Sequence, residues 1–200
     1  MIDESLISSN WHYPENLYIK GLCESIESIS QEYIWDNDNK KYHIERVFSY
    51  ELYHKWRQNL KNGKSNPENL MLNAELTKHY DDKGNKFPDM VLHGDYTDHS
   101  KQFIICEIKS SRNYVNYDAL RKDIKSLADG IIKLGYHCGA FIYLGGKKSQ
   151  IHKRIIKIMN EMNLIETEIL LVKVVKSRDV EYSFLKTRRK CVVRSETVYT

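Results

Sequence analysis

Three ionisable residues, Asp89, Glu107 and Lys109, stand at the ends of two apolar stretches that a polar turn separates. Glu107 and Lys109 are two residues apart, so in a strand they project from the same face, roughly 6–7 Å apart. Ile108 then points the other way. Carboxylate and carbonyl oxygens are the ligands that Mg2+ prefers. The pattern therefore predicts that Asp89 and Glu107 bind a metal ion, with the backbone carbonyl of Ile108 as a further ligand.

Lys109 is expected to act beside this metal ion. An ammonium group next to two carboxylates stays protonated. We therefore assign Lys109 to orienting a water molecule and neutralising phosphate charge rather than to abstracting a proton. Such a site suits phosphodiester hydrolysis, because a metal ion stabilises charge on the phosphate oxygens and assists both the attacking water and the leaving oxygen. Magnesium is the expected cofactor, with manganese as its substitute.

The elements that must position these residues follow from the spacing of apolar side chains. We expect an irregular or partly helical arm up to about residue 20, then amphipathic helices over residues 21–35 and 42–61. A strand is predicted over residues 70–76. The turn at residues 94–100 favours a hairpin between the Asp89 and Glu107 strands, which completes an antiparallel meander of three strands.

The second half of the chain alternates between helical and strand patterns. Leu120, Ile124, Leu127 and Ile131 recur at helical spacing. A helix, a strand and a second helix are predicted over residues 116–134, 137–144 and 149–162. A strand over residues 167–175 and a terminal hairpin of residues 180–185 and 191–193 complete the prediction. A strand–helix–strand crossover implies parallel strands. The fold class is therefore α/β, a mixed central sheet flanked by helices.

Phe87-Pro88-Asp89, followed two apolar strands later by Glu107-Ile108-Lys109, resembles the PD-(D/E)xK nuclease superfamily. The predicted elements of residues 42–145 are similar to the α-β-β-β-α-β core of this restriction endonuclease-like fold. The resemblance covers about half of the chain. It implies magnesium-dependent cleavage of nucleic acid, first of all DNA, with the Asp and the Glu-x-Lys pair as metal-binding and catalytic residues.

The resemblance also implies further polar residues on two helices. Members of the superfamily often have an acidic residue on the helix before the first core strand, and Glu51 matches that position. Glu51 is therefore predicted as an auxiliary catalytic or metal-binding residue. On the helix that follows Glu-x-Lys, Lys122 and Lys125 are equally good candidates for a residue that reaches the site.

Charge and composition narrow the class of partner. The chain has 31 basic and 27 acidic residues and a net charge of +4. Residues 147–157 contain five basic residues and no acidic one, and residues 173–194 contain eight basic and two acidic residues. Such clusters favour a polyanion and are the predicted phosphate contacts. A homodimer would suit cleavage of two strands, although nothing in the sequence marks an interface.

Cysteine usage and hydropathy bear on location. The four cysteines form no CxxC pair, which favours buried free thiols in a reducing cytoplasm. The acidic N-terminus leads to no apolar segment typical of a secretory signal. No apolar run approaches the ~20 residues that span a bilayer. We therefore expect a cytoplasmic protein without a membrane segment.

One domain of residues 1–200 is expected, with an N-terminal helical arm (1–40), a catalytic core (42–145) and a basic C-terminal region (147–200).

Two other functions remain open, namely a non-catalytic member of the fold that binds nucleic acid or protein, and an enzyme acting on another phosphate ester. Single residues also have simpler interpretations. Asp89 could be a turn or cap residue, Glu107 and Lys109 an ordinary ion pair, and Glu51 a solvated helix residue.

Overall fold

The computed structural model describes residues 13–34, 45–61, 66, 69–74, 78–79, 85–86, 88–95, 99–110, 116–145, 150–164, 167–176 and 179–186. These residues form four α-helices and eight strands. In chain order they are α1 (Tyr13–Glu27), α2 (Glu45–Lys61), β1 (Met71–Ala74), β2 (Lys78–His79), β3 (Asn85–Lys86), β4 (Met90–His93), β5 (Gln102–Ser110), α3 (Tyr117–Leu134), β6 (Cys138–Leu144), α4 (Ile151–Glu161), β7 (Glu168–Lys176) and β8 (Asp179–Lys186).

Six of the strands form one mixed sheet in the order β1-β4-β5-β6-β7-β8. β1, β4 and β5 are the predicted antiparallel meander. β6 is parallel to β5 and β7 is parallel to β6, as the crossover helices α3 and α4 require. β8 returns antiparallel to β7. The predicted α/β class, with a mixed sheet flanked by helices, is thus confirmed.

Side-chain alternation along β5 divides the core into two layers. Ile104, Cys106 and Ile108 face the layer that contains the apolar residues of α1 and α2. Ile105 faces the opposite layer, which contains those of α3 and α4. Residues two apart share a face, so Glu107 and Lys109 belong to the α3 side of the sheet.

The placement of α3 on β5 depends on its ends and on one small residue. The Asn116 side chain accepts a hydrogen bond from the backbone N–H of Asp118 at 3.0 Å and caps the first turn. Gly135 ends the helix with φ 76°, a left-handed conformation that glycine adopts without a steric penalty. A Cβ on Gly130 would lie 2.7 Å from Cδ1 of Ile105, so the absence of a side chain allows the close approach of helix and strand.

The N-terminal helix differs from its prediction. α1 begins at Tyr13 rather than at residue 21 and ends at Glu27, and a short 3-10 turn at Gln31–Tyr33 replaces its last predicted turn. The early start has a tertiary cause. The Tyr18 ring packs edge-on against Phe103 of β5, with centroids 4.6 Å apart. A contact between residues so far apart in the sequence cannot be predicted from the spacing of apolar residues.

The other differences concern hairpins. Residues 180–185 pair with β7 and not with a following strand, and residues 191–193 lie outside the described residues. A separate two-stranded hairpin, β2–β3, lies between β1 and β4, where the sequence analysis predicted no strand pair. The meander of the main sheet is unaffected, because β1 and β4 pair directly.

The buried thiols agree with the expectation from composition. Cys23, Cys106 and Cys138 are free and buried, whereas Cys191 lies outside the described residues. Among the helices that the structure describes, none has the length and apolar character needed to cross a membrane.

Candidate active site

Asp89 and Glu107 lie opposite each other on adjoining strands. β4 pairs with β5 so that Met90 faces Cys106, and continuing this register by one residue brings Asp89 opposite Glu107. Asp89 Oδ2 accepts a hydrogen bond of 2.6 Å from the backbone N–H of Ile108. Two carboxylates facing each other across a strand pair repel, so they need a compensating cation or proton.

Lys109 supplies one positive charge at this point. Its Nζ lies 3.7 Å from Glu45 Oε1 and 3.7 Å from Asp123 Oδ2. Burial acts to lower the pKa of Lys109, but the nearby charges, led by Asp123 and Glu45, raise it above the usual value of 10.5. The side chain is therefore a stable cation near neutral pH.

Glu107 is the most deeply buried acid of the group, with 6% of its surface exposed. Burial raises its pKa to about 8, and the charges of Asp89 and Asp123 act in the same direction. A hydrogen bond to the Ser126 side chain partly opposes this rise. At neutral pH and without a bound cation, Glu107 is mostly protonated.

The pKa values of Asp89 and Asp123 are also raised. Burial raises the pKa of Asp89 to about 6, although the Ile108 N–H favours its charged form. Burial also raises the pKa of Asp123, which Lys109 opposes. Asp123 Oδ2 is buried and, among the described residues, its near partner is the Lys109 ammonium group 3.7 Å away. Several acids in one partly buried site thus share too little positive charge, which is the electrostatic condition that favours binding of a divalent cation.

Asp89, Glu107 and the Ile108 backbone offer oxygen ligands, which is the kind that magnesium takes. Within the described ranges, no three His, Cys, Asp or Glu side chains form a group that could hold a metal ion. Magnesium usually takes one or two carboxylates and completes its octahedron with water and substrate oxygens. In a strand, the N–H and C=O of one residue point to the same side. The Ile108 carbonyl is therefore on the side of Asp89, to which the N–H of Ile108 donates.

The acid of α2 that reaches the site is Glu45, not Glu51. Glu45 Oε2 accepts a hydrogen bond of 3.0 Å from the backbone N–H of Ser110, and its other oxygen is the one near Lys109. Glu51 lies nearly two turns further along the helix, and its Oε1 is 3.5 Å from Lys55 Nζ. The contacts of Glu45 therefore fit the role that the sequence analysis predicted for Glu51. Glu45 lies three residues before buried Phe48, so both project from the same side of the helix.

On α3 the residue that reaches the site is Asp123, which lies between the two lysines that the sequence suggested. Lys122 is exposed, and Lys125 Nζ pairs with Asp129 Oδ2 at 3.3 Å on the solvent side. Asp123 follows the buried residue Leu120 by three positions. The helical spacing that identified α3 could therefore have indicated it.

A cleft of about 190 Å³ opens beside Asp89. One wall is the first two turns of α2, and the other is formed by the ends of β1 and β4. Its lining residues are Glu45, Arg46, Ser49, Tyr50, Ala74, Asp89 and Met90. The cleft therefore combines two of the candidate acids, Glu45 and Asp89, with a cation and an aromatic ring.

One of the predicted phosphate contacts is buried, whereas the described lysines of α4 are exposed. Lys173 is buried and forms an ion pair with Glu181 across the β7–β8 hairpin. The sequence analysis predicted it as a phosphate contact, and this ion pair makes that prediction wrong for Lys173. On α4, Lys157 Nζ lies 3.8 Å from Glu161 and 5.4 Å from the centre of the Tyr117 ring. Lys153 is exposed. Residues 147–148 and 187–194 lie outside the described residues.

Neither a family model nor a curated protein matches this sequence. Among solved structures, the chain is similar to one titled "The structure of Pyrococcus Furiosus SfsA in complex with Ca2+", with 15% identity and a TM-score of 0.35. The match covers 70% of this chain and 65% of that chain, just under two thirds of its length. So distant a likeness carries no weight for function, and the site must be judged on its own geometry.

Proposed function

We propose that this protein is a metal-dependent nuclease that hydrolyses phosphodiester bonds, with DNA as its first candidate substrate. The observation that carries the proposal is the closeness of Asp89, the residue before β4, to Glu107 and Ile108 of β5, with Lys109 on the Glu107 face. All three side chains share a partly buried, acid-rich site. Asp89 and Glu107 carry the same charge, and Asp89 raises the pKa of Glu107, so an ordinary ion pair does not explain why the two acids lie together.

Asp89, Glu107 and the Ile108 carbonyl would hold the magnesium ion. When bound, magnesium supplies Lewis-acid stabilisation of the phosphate oxygens and lowers the pKa of water. The raised pKa values of Asp89 and Glu107, about 6 and about 8, support this assignment. Two carboxylates that resist ionisation together are relieved when a cation lies between them.

Lys109 would orient the attacking water and offset phosphate charge. Its raised pKa keeps its proton in place, so it acts as a hydrogen-bond donor and a positive charge. Glu45 and Asp123, one from each side, would fix the position of its ammonium group. We assign both acids as positioning residues.

The direct test is a cleavage assay with the whole chain. Single-stranded and double-stranded DNA and RNA are incubated with Mg2+, with Mn2+ and with excess EDTA. We expect cleavage of at least one DNA form in Mg2+ or Mn2+ and none in EDTA. If every substrate is bound in a gel shift but none is cut with either metal, the non-catalytic alternative replaces this proposal.

Matched substitutions on α2 separate the two glutamates. We expect Glu45→Gln to lower the cleavage rate by about 10- to 100-fold, which is the usual cost of losing a residue that orients an active-site group. Glu51→Gln on the same helix should change the rate less than about twofold, because Glu51 contacts Lys55. Single-turnover rates at saturating metal would measure both. If Glu51→Gln lowered the cleavage rate more than Glu45→Gln, Glu51 rather than Glu45 would be the auxiliary acid of the site.

A further inference from the structure

The cleft beside Asp89 contains an aromatic ring that the proposed chemistry does not use. Tyr50 is 60% exposed, compared with 36% for Tyr33, the other tyrosine described as exposed. It lies one helical turn after Arg46, so both side chains project from the same side of α2. Both residues line the cleft. An exposed ring and a cation side by side at the edge of an acidic site suggest a ligand with a flat apolar surface and a negative charge.

The cleft is small. Its volume of about 190 Å³ is below the roughly 300–1,000 Å³ of pockets that enclose a drug-sized ligand. A single planar ring system is therefore a better match than a whole nucleotide or a peptide side chain with its backbone. Ala74 on β1 leaves room opposite the helix, because its side chain is one methyl group.

The charges around the cleft favour one orientation of a bound nucleotide. Glu45 and Asp89 repel a phosphate group from the end next to the metal-binding residues unless a cation is present, whereas a neutral base meets no such penalty. Arg46 can pair with a phosphate at the rim. A nucleotide would thus enter with its base against Tyr50 and its phosphates directed towards Arg46 and the candidate metal site.

We propose that this cleft binds one unpaired base, stacked on Tyr50, next to the phosphate that is cleaved. The inference rests on the nuclease function proposed above and specifies its substrate as single-stranded nucleic acid or a single-stranded segment of a larger molecule. A base within a duplex is stacked on both sides and cannot present its face to a side chain. An unpaired base can, and stacking on an aromatic ring is largely independent of sequence.

The test measures binding and does not depend on cleavage. Every protein carries Lys109→Ala to prevent turnover, and affinity is measured in Mg2+ by fluorescence anisotropy. One labelled probe is a single-stranded oligodeoxynucleotide of about 12 residues, within the usual site sizes, and the other is a blunt duplex of the same length. We expect Tyr50→Ala to weaken single-strand binding by about tenfold, in line with the stacking contribution of one base. Duplex binding should change less than twofold.

Two further variants make the result specific. Tyr50→Phe keeps the ring and should bind like the parent, which excludes a role for the hydroxyl group. Tyr33→Ala removes another exposed tyrosine, 36% exposed and outside the cleft lining, and should have no effect. Unchanged single-strand affinity in Tyr50→Ala, or an equal loss for both probes, would overturn the inference.

The outcomes also separate this inference from the nuclease proposal. If the wild-type protein cleaves DNA but Tyr50→Ala binds single strands normally, only the base-binding cleft is refuted. If the wild-type protein never cleaves but Tyr50→Ala loses single-strand binding selectively, the cleft is supported and the hydrolytic function is refuted.

Discussion

Lys109→Ala is expected to reduce magnesium-dependent cleavage by about 100- to 1,000-fold, the usual cost of removing one group that stabilises developing charge. The ammonium group is held between Glu45 and Asp123 and remains protonated because those acids raise its pKa. Its loss removes both the donor to the attacking water and the charge opposite the phosphate. Initial rates on labelled oligonucleotides, with Mg2+ in excess, measure the effect.

The control for this variant is Lys125→Ala, on α3. Lys125 is exposed and its partner is Asp129, so cleavage should remain within about twofold of the wild type. Thermal melting of both variants shows that each protein is folded at the assay temperature. Equal cutting by wild type and Lys109→Ala would end the catalytic assignment of this lysine.

Glu107→Gln is expected to abolish cleavage and, without metal, to make the protein more stable at pH 8. Cleavage should fall about a thousandfold, because the metal ion contributes several kcal/mol to the reaction and loses a carboxylate ligand. Stability should rise because glutamine fills the same space without a buried charge opposite Asp89. Loss of function and gain of stability in one variant is typical of a strained active site.

The pH dependence follows from the two raised pKa values. Glu107 has a pKa of about 8 and Asp89 of about 6, against ordinary values of 4.5 and 3.8. The folded state therefore binds these protons more tightly than the unfolded chain. In EDTA, the free energy of unfolding should decrease as pH rises from about 4 to about 8, by a few kcal/mol in total. Glu107→Gln should reduce that slope.

Added magnesium should oppose this decrease in stability in the wild type and have little effect in Glu107→Gln. A ligand that binds the folded state alone raises the unfolding free energy in proportion to the logarithm of its concentration. Melting temperatures at pH 5 to 9, in EDTA and in Mg2+, would record both effects. Parallel pH curves for wild type and Glu107→Gln, with the same response to Mg2+, would contradict the assignment of Glu107 as a metal ligand.

The sheet could be predicted from sequence because its determinants are local. Alternation of apolar residues indicated β4 and β5, and the helical spacing of Leu120, Ile124 and Leu127 indicated the crossover helix. The same alternation placed Glu107 and Lys109 on one face. These features need no knowledge of distant contacts, and the structure reproduces them with small shifts at the ends.

The helix residues around the site could be predicted less well, because tertiary contacts select them. Nothing local distinguishes Glu45 from Glu51, and the difference is a hydrogen bond to the Ser110 N–H, 65 residues away. Lys122 and Lys125 were the predicted candidates on α3, but the helix turns both to solvent and directs Asp123, between them, towards Lys109. Lys173 was counted as free positive charge because a hairpin partner, Glu181, cannot be identified from a charge count.

Lys109 contacts acids from two helices that pack on opposite faces of the sheet. α2 packs on one face of the sheet and α3 on the other, and each contributes one acid that contacts the same ammonium group. A ligand that shifts the first turn of α2 would therefore move Glu45 relative to Lys109, and the cleft that this turn lines is the place where such a ligand would bind. Nucleic acids bound on other surfaces would lack this effect, so affinity and cleavage rate need not rank substrates in the same order.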